Sequence, residues 1–144
     1  MRAAIIALML TFASQAGAEI IDESFNIRGK KFYVYLIDGA SGGCWTNLRE
    51  VREYAEEKLQ MRGAIVDDGW DKDGFTLKIN INAIRNPNAD TQCFGNIDIA
   101  VMDMSYYASK RWALISNFAG TNLVNKNMNN AVLDRVNQAL AEFN

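Results

Sequence analysis

The chain has 144 residues with 15 Lys and Arg against 17 Asp and Glu, a net charge of −2, and no histidine. So even a balance gives no electrostatic footprint for nucleic acid or for an anionic lipid surface. The missing histidine removes Ser-His-Asp and Cys-His nucleophilic sites and the usual histidine-bearing zinc sites. One domain's worth of chain remains, long enough to bury most of its apolar surface.

The first stretch, MRAAIIALMLTFASQAGAEI, has Arg2 ahead of an apolar run from Ala3 to about Ala13 and small residues ending at Ala18. This is the layout of a cleavable export signal, residues 1–18, and the apolar run is shorter than the ~20 residues that span a bilayer. Residues 19–144 are then the mature domain. The residue directly after the cleavage point is Glu19 and not a cysteine, so no membrane anchor is expected after cleavage, and the expected location is periplasmic or secreted.

KFYVYLI (Lys31 to Ile37) is aromatic and β-branched with little polar alternation, which predicts a central strand buried on both faces. A Gly-rich loop, DGASGGCWTN, leads into a helix beginning near Leu48, where Asn47 and Glu50 have the spacing of a capping box. Leu48, Val51, Ala55 and Leu59 share one face of that helix, and Gly63 stands where a left-handed cap would end it. AIVDDGWDKDGFTLKININAI reads as strand, turn and longer strand. In the longer one Phe75, Leu77, Ile79 and Ile81 alternate with Thr76, Lys78, Asn80 and Asn82, the signature of an antiparallel strand with one wet face. RNPNADTQCFG is a loop, and strands are expected over about Asn96 to Tyr106 and Arg111 to Ala119. A final amphipathic helix begins near Asn127, with Val132, Leu133, Val136, Ala139, Leu140 and Phe143 forming its apolar stripe.

The order β-α-β-β-β-β-α predicts an α+β fold, a two-layer α/β sandwich. It has a mostly antiparallel sheet of about five strands and two helices on one face. The first strand, helix and second strand should make a right-handed crossover. This element order resembles that of several small bacterial envelope proteins that serve as accessory subunits or protein-binding modules.

Three chemical readings of the Gly-rich loop were open. As a phosphate loop it fails, because Cys44, Trp45 and Thr46 stand where Gly, Lys and Ser or Thr belong, and Ser41 interrupts the dinucleotide pattern. As a nucleophile, Cys44 gains from a helix N-terminus but lacks a histidine base. In an oxidising compartment the chain's two cysteines most economically form one bridge, Cys44–Cys93, so the loop reads as a tethered turn.

The acidic segment Asp67 to Gly74 offers Asp71 and Asp73 as candidate calcium ligands. The pattern breaks at Gly69, in the first ligand position, and at Asn80, where a bidentate glutamate is needed, so a solvated hairpin turn is favoured and no metal or cofactor is expected. Aromatic and glycine positions Tyr33, Tyr35, Gly42, Gly43, Trp45 and Trp70 are the candidate binding residues, since exposed Tyr and Trp anchor binding surfaces. Lys78, Asn80 and Asn82 should lie with any such patch on the sheet face that the helices leave open.

These observations favour an exported, non-catalytic binding or accessory module whose partner is a protein or an envelope component. The alternatives are a histidine-free hydrolase using carboxylates such as Asp38, Asp98 and Asp103, and an inhibitor of a secreted enzyme presenting a loop tip at Trp70 or at Asn86 to Gln92. A self-assembling subunit would require a long uncovered edge strand.

Overall fold

The computed structural model describes residues 25–69, 74–89, 91–103 and 113–143. The proposed leader, Trp70, Asp71 and Asp73 therefore lie outside the described residues. The elements are β1 (Lys31–Ala40), α1 (Leu48–Met61), β2 (Ile65–Val66), β3 (Phe75–Arg85), β4 (Gln92–Asp103), β5 (Ala113–Asn125) and α2 (Asn129–Ala141). They form an α+β fold with one open five-stranded sheet in the order β2-β1-β3-β4-β5. The long antiparallel pairings are β3–β4 and β4–β5, while β1 pairs in parallel with both β2 and β3.

Both helices lie on one face. α1 packs over β1 and β2, α2 over β4 and β5, and the helices touch each other. Val51, Ala55 and Leu59 of α1 and Val132, Val136, Ala139 and Leu140 of α2 bury against Val34, Leu77, Ile79, Ile81, Ile97, Ile99 and Val101 of the sheet. Each fully buried Leu or Ile of this set stabilises the fold by about 1.5–3 kcal/mol.

α1 ends because Gly63 takes φ +84, a conformation that costs glycine nothing. Its N–H donates to Gln60 O at 2.8 Å and that of Ala64 to Leu59 O at 3.0 Å, the paired bonds of a Schellman cap. The start of α1 differs from the capping box expected there. Asn47 Nδ2 donates to Glu50 Oε2 at 2.8 Å, so the two side chains bond each other and no side-chain hydrogen bond caps the backbone. α2 starts at Asn129, and Asn127 Oδ1 accepts that residue's N–H at 3.2 Å.

The expectation that β1 is a central strand buried on both faces is corrected. Phe32 and Val34 are buried, but Tyr35 is 47% exposed, and β2 covers the outer edge of β1 only at Lys31 and Phe32. The aromatic face of β1 is apolar enough to read as core from its sequence, yet among the described residues no helix packs on it. β4 starts at Gln92 instead of near Asn96, and β5 runs on to Asn125, since the two strands keep pairing from Asn96–Thr121 to Gln92–Asn125.

Candidate functional site

The two ends of the sandwich have different characters. At one, Phe25 meets Phe75 and Phe143 edge-on at ring-centre distances of 5.0 and 5.9 Å, and Arg62 donates to the Phe143 carbonyl. At the other, the Gly-rich loop, the β3–β4 turn and the first turns of both helices converge. Met128 N–H donates to Cys44 O at 2.7 Å, Thr46 N–H to Asn129 Oδ1 at 3.1 Å, and Asn129 Nδ2 to Thr46 Oγ1 at 3.0 Å.

Within that second end Cys44 and Cys93 form a disulfide, both residues fully buried, with Cα atoms 5.7 Å apart. Gly42 and Gly43 have φ of +63 and +71, and their carbonyls accept from Arg85 Nε at 2.6 Å and Arg85 Nη2 at 3.3 Å. A side chain at Gly42 would place its Cβ 2.9 Å from Arg85 Cβ. The loop thus turns its oxygens toward a cation, while the N–H groups of Ser41 and Cys44 donate to Ala83 O and Ser41 O. That arrangement tethers the loop and is a poor cradle for an anion. Trp45, named above as a candidate binding residue, is a core residue at 4% exposure, because the tether draws it inward beside the disulfide.

The open face of the sheet follows from the pairing register. Across β1, β3 and β4 it carries successive rows: Tyr33, Thr76 and Met102; Tyr35, Lys78 and Ala100; Ile37, Asn80 and Asp98; Gly39, Asn82 and Asn96. Ile84 and Phe94 follow at the disulfide end. Tyr33 and Tyr35 stack with centroids 6.4 Å apart and planes 26° from parallel. Lys78 Nζ lies 3.1 Å from Asp98 Oδ2 in a half-buried ion pair. Asn82 Nδ2 donates to Asn80 Oδ1 at 3.4 Å, and the Asn82 amide lies over Gly39, where any Cβ would sit 2.2 Å from its oxygen. The face therefore has a polar band between two apolar ends, with Tyr35 47%, Ile84 58% and Phe94 51% exposed.

Of the sequence candidates, the structure brings Tyr33 and Tyr35 together with Lys78, Asn80 and Asn82, and sets Gly42 and Gly43 apart in the loop. Ile84 and Phe94 share this face without belonging to the tyrosine, tryptophan and glycine pattern of those candidates. Their signal was the alternation itself, since Cys93 pointing inward obliges Phe94 to point outward.

Asp38, Asp98 and Asp103 do not assemble into a catalytic pair. Asp98 is on the open face with Asn80 and Ile37, whereas Asp38 follows Phe32, Val34 and Leu36 onto the helix side of β1. Asp103 shares that side, but its row lies ~20 Å along β4 from the Ile97 row that holds Asp38, beyond the ~5–10 Å that two glycosidase carboxylates keep. Glu56 is the one carboxyl among the described residues held above its ordinary range. Burial raises it, Arg52 opposes that, and Asp68 and Glu53 add to it.

No protein-family model matches the sequence, and no curated protein matches it. Among the described residues no helix is long and apolar enough to cross a membrane. Solved structures do match. A point variant of the PelC dodecamer from Paraburkholderia phytofirmans is 12% identical with a TM-score of 0.56, covering 88% of this chain and 93% of that one. A second crystal form of the PelC dodecamer from the same organism is 10% identical with a TM-score of 0.57, covering 88% of this chain and 95% of that one. At such identities the likeness is one of fold alone.

Proposed function

We propose that the chain is an exported, non-catalytic module, periplasmic or secreted, that binds a protein or another envelope component through the open face of its sheet. The observation that carries this reading is the placement of Tyr35, Ile84 and Phe94 in solvent on the one sheet face that no helix covers among the described residues. Exposed apolar and aromatic side chains rimmed by polar ones mark partner surfaces. The Lys78–Asp98 pair and the Asn80–Asn82 bond supply a fixed polar pattern between them.

Site-specific photocrosslinking in the source cell tests it. A crosslinker at Tyr35 or Phe94 should give discrete adducts, and one at Arg49, on the solvent side of α1 at 91% side-chain exposure, should not. Adducts of equal yield at all three positions, or at Arg49 alone, would sink the reading.

A second reading, self-assembly, is favoured by two observations. Both solved neighbours are described as dodecamers. In addition β5 is a 13-residue strand, ALISNFAGTNLVN, with neither charge nor proline, which pairs on one side only among the described residues. Sedimentation of the mature chain decides between a monomer and an assembly, and a charged substitution in β5, such as Thr121→Lys, should dissolve an edge-built assembly without unfolding the monomer.

A further inference from the structure

The outer edge of β1 is only partly closed, and its backbone can be accounted for bond by bond. Lys30 O accepts from Ile65 N–H at 2.9 Å and Phe32 O from Asp67 N–H at 2.9 Å, both on the β2 side. Val34 O accepts instead from Arg52 Nη1 at 2.9 Å, a side chain reaching down from α1. These three carbonyls show that even-numbered residues of β1 turn their backbone groups away from β3. The odd-numbered ones face it, as the bond from Ser41 N–H to Ala83 O confirms at the far end. By the same period of two, the N–H groups of Val34, Leu36 and Asp38 and the carbonyls of Leu36 and Asp38 point outward, and no described residue bonds them. Among the described residues the edge is guarded at one end by β2 and Arg52 and left open beyond.

Acidic groups stand at the guarded end of that stretch, where Glu56 is one helical turn beyond Arg52 on α1 and Asp68 follows β2. Glu56 is close enough to Arg52, Asp68 and Glu53 for each to act on its charge, which places those carboxylates beside the Arg52 guard. Arg49 pairs with Glu53 at 3.6 Å, whereas Glu56 and Asp68 have no ion pair among the described residues. Asp38 belongs to the edge itself, with Oδ1 accepting the Ala40 N–H at 2.9 Å.

From this geometry we propose that the β1 edge from Val34 to Asp38 is a docking site for an extended segment of another polypeptide carrying lysine or arginine. The segment adds as a strand beside β1, in line with β2. Main-chain hydrogen bonds to Leu36 and Asp38 supply the affinity, as in other strand-addition complexes, and the Glu56–Asp68 side supplies the preference for a basic chain. Arg52 acts as a guard, since its guanidinium occupies the one outward carbonyl that a longer strand would need and repels a basic newcomer. The site is separate from the open sheet face and does not depend on that face binding anything.

The test is amide hydrogen exchange on the full mature chain, with synthetic peptides of alternating lysine and valine, and of alternating glutamate and valine, as probes. In the free protein the Leu36 and Asp38 amides should exchange ~100-fold faster than those of Tyr35 and Ile37, which face β3. Saturating lysine peptide should slow Leu36 and Asp38 by at least ~10-fold, and the glutamate peptide should not. Arg52→Met, which keeps the aliphatic stem but frees the Val34 carbonyl, should tighten lysine-peptide binding by about threefold to tenfold, the worth of one hydrogen bond. The proposal is overturned by any of four results: full protection of Leu36 and Asp38 in the free chain, no slowing with the lysine peptide, equal slowing with the glutamate peptide, or weaker binding by Arg52→Met. Protection that grows with the protein's own concentration would assign the edge to a second copy of the chain and overturn it as well.

Discussion

Replacing both Cys44 and Cys93 with alanine should destabilise the protein by about 4 kcal/mol, the loop-entropy value for a bridge whose cysteines are 49 residues apart. In that account the disulfide acts on the unfolded chain, by forbidding conformations in which the β1–α1 loop and the start of β4 separate. The folded loop has other restraints. Arg85 bonds the Gly42 and Gly43 carbonyls, Ser41 N–H bonds Ala83 O, and Met128 N–H bonds Cys44 O. Removing Arg85 alone, by Arg85→Ala, should cost about 1–2 kcal/mol for two exposed hydrogen bonds to carbonyls. If the bridge works through the unfolded state, the two perturbations add within about 0.5 kcal/mol, although they anchor the same loop. Urea denaturation of the wild type, Arg85→Ala, the double alanine and the combined variant gives the four free energies. A coupling above about 1 kcal/mol would refute the reasoning and show that the bridge holds the loop in the native state. A total loss below about 1 kcal/mol on removing the bridge would refute it differently, by showing that the reduced chain keeps loop and strand together when unfolded.

Three further outcomes are expected. Ile81→Ala, at a residue with no exposure, should cost about 2–5 kcal/mol, whereas Phe94→Ser and Ile84→Ser should stay within about 0.5 kcal/mol of wild type by thermal unfolding, because their side chains already meet water. Glu56 has a folded-state pKa raised above 4.5, so its ionisation works against folding at neutral pH. Glu56→Gln should therefore equal or exceed wild-type stability at pH 7, with any advantage shrinking as the pH falls through the folded pKa and gone below 4.5. An advantage that grew in acid would reverse the sign of the argument. Trp45 is buried and its Nε1 finds no hydrogen-bond partner among the described residues, so Trp45→Phe should cost no more than about 1 kcal/mol in urea denaturation, against about 3–5 kcal/mol for Trp45→Ala.

Helix faces and strand alternation were legible because burial on one side imposes a period that the residues must obey. Val51, Ala55 and Leu59 repeat every four residues, and Leu77, Ile79 and Ile81 every two, and all six are fully buried. Gly63 could be read for the same kind of reason, since a helix that ends in a left-handed residue favours glycine. The start of α1 was misjudged because spacing alone does not say whether Asn47 and Glu50 will turn to the backbone or to each other. β5 was cut short because NFAGTNLVN has turn-forming residues, and only its pairing with β4, from Gln92–Asn125 to Asp103–Ala113, makes it a strand.

The open face was harder to see for a reason that concerns strand order. KFYVYLI has aromatic side chains on both faces, as a central strand would, and nothing local distinguishes tyrosines that pack under a helix from tyrosines that meet solvent. The distinction comes from outside the segment. β2 is two residues long, so β1 stands next to the sheet edge, and α1 covers only the Phe32 and Val34 side. Tyr35 is exposed because both described helices lie on the other layer, and the same arrangement leaves Ile84 and Phe94 in solvent at the other end of the face. Residues that would be unremarkable in a three-layer fold thereby become large exposed apolar groups along an otherwise polar band. A single sequence contains the alternation that puts these side chains on a common face; only the arrangement of the layers turns that face into a surface available to a partner.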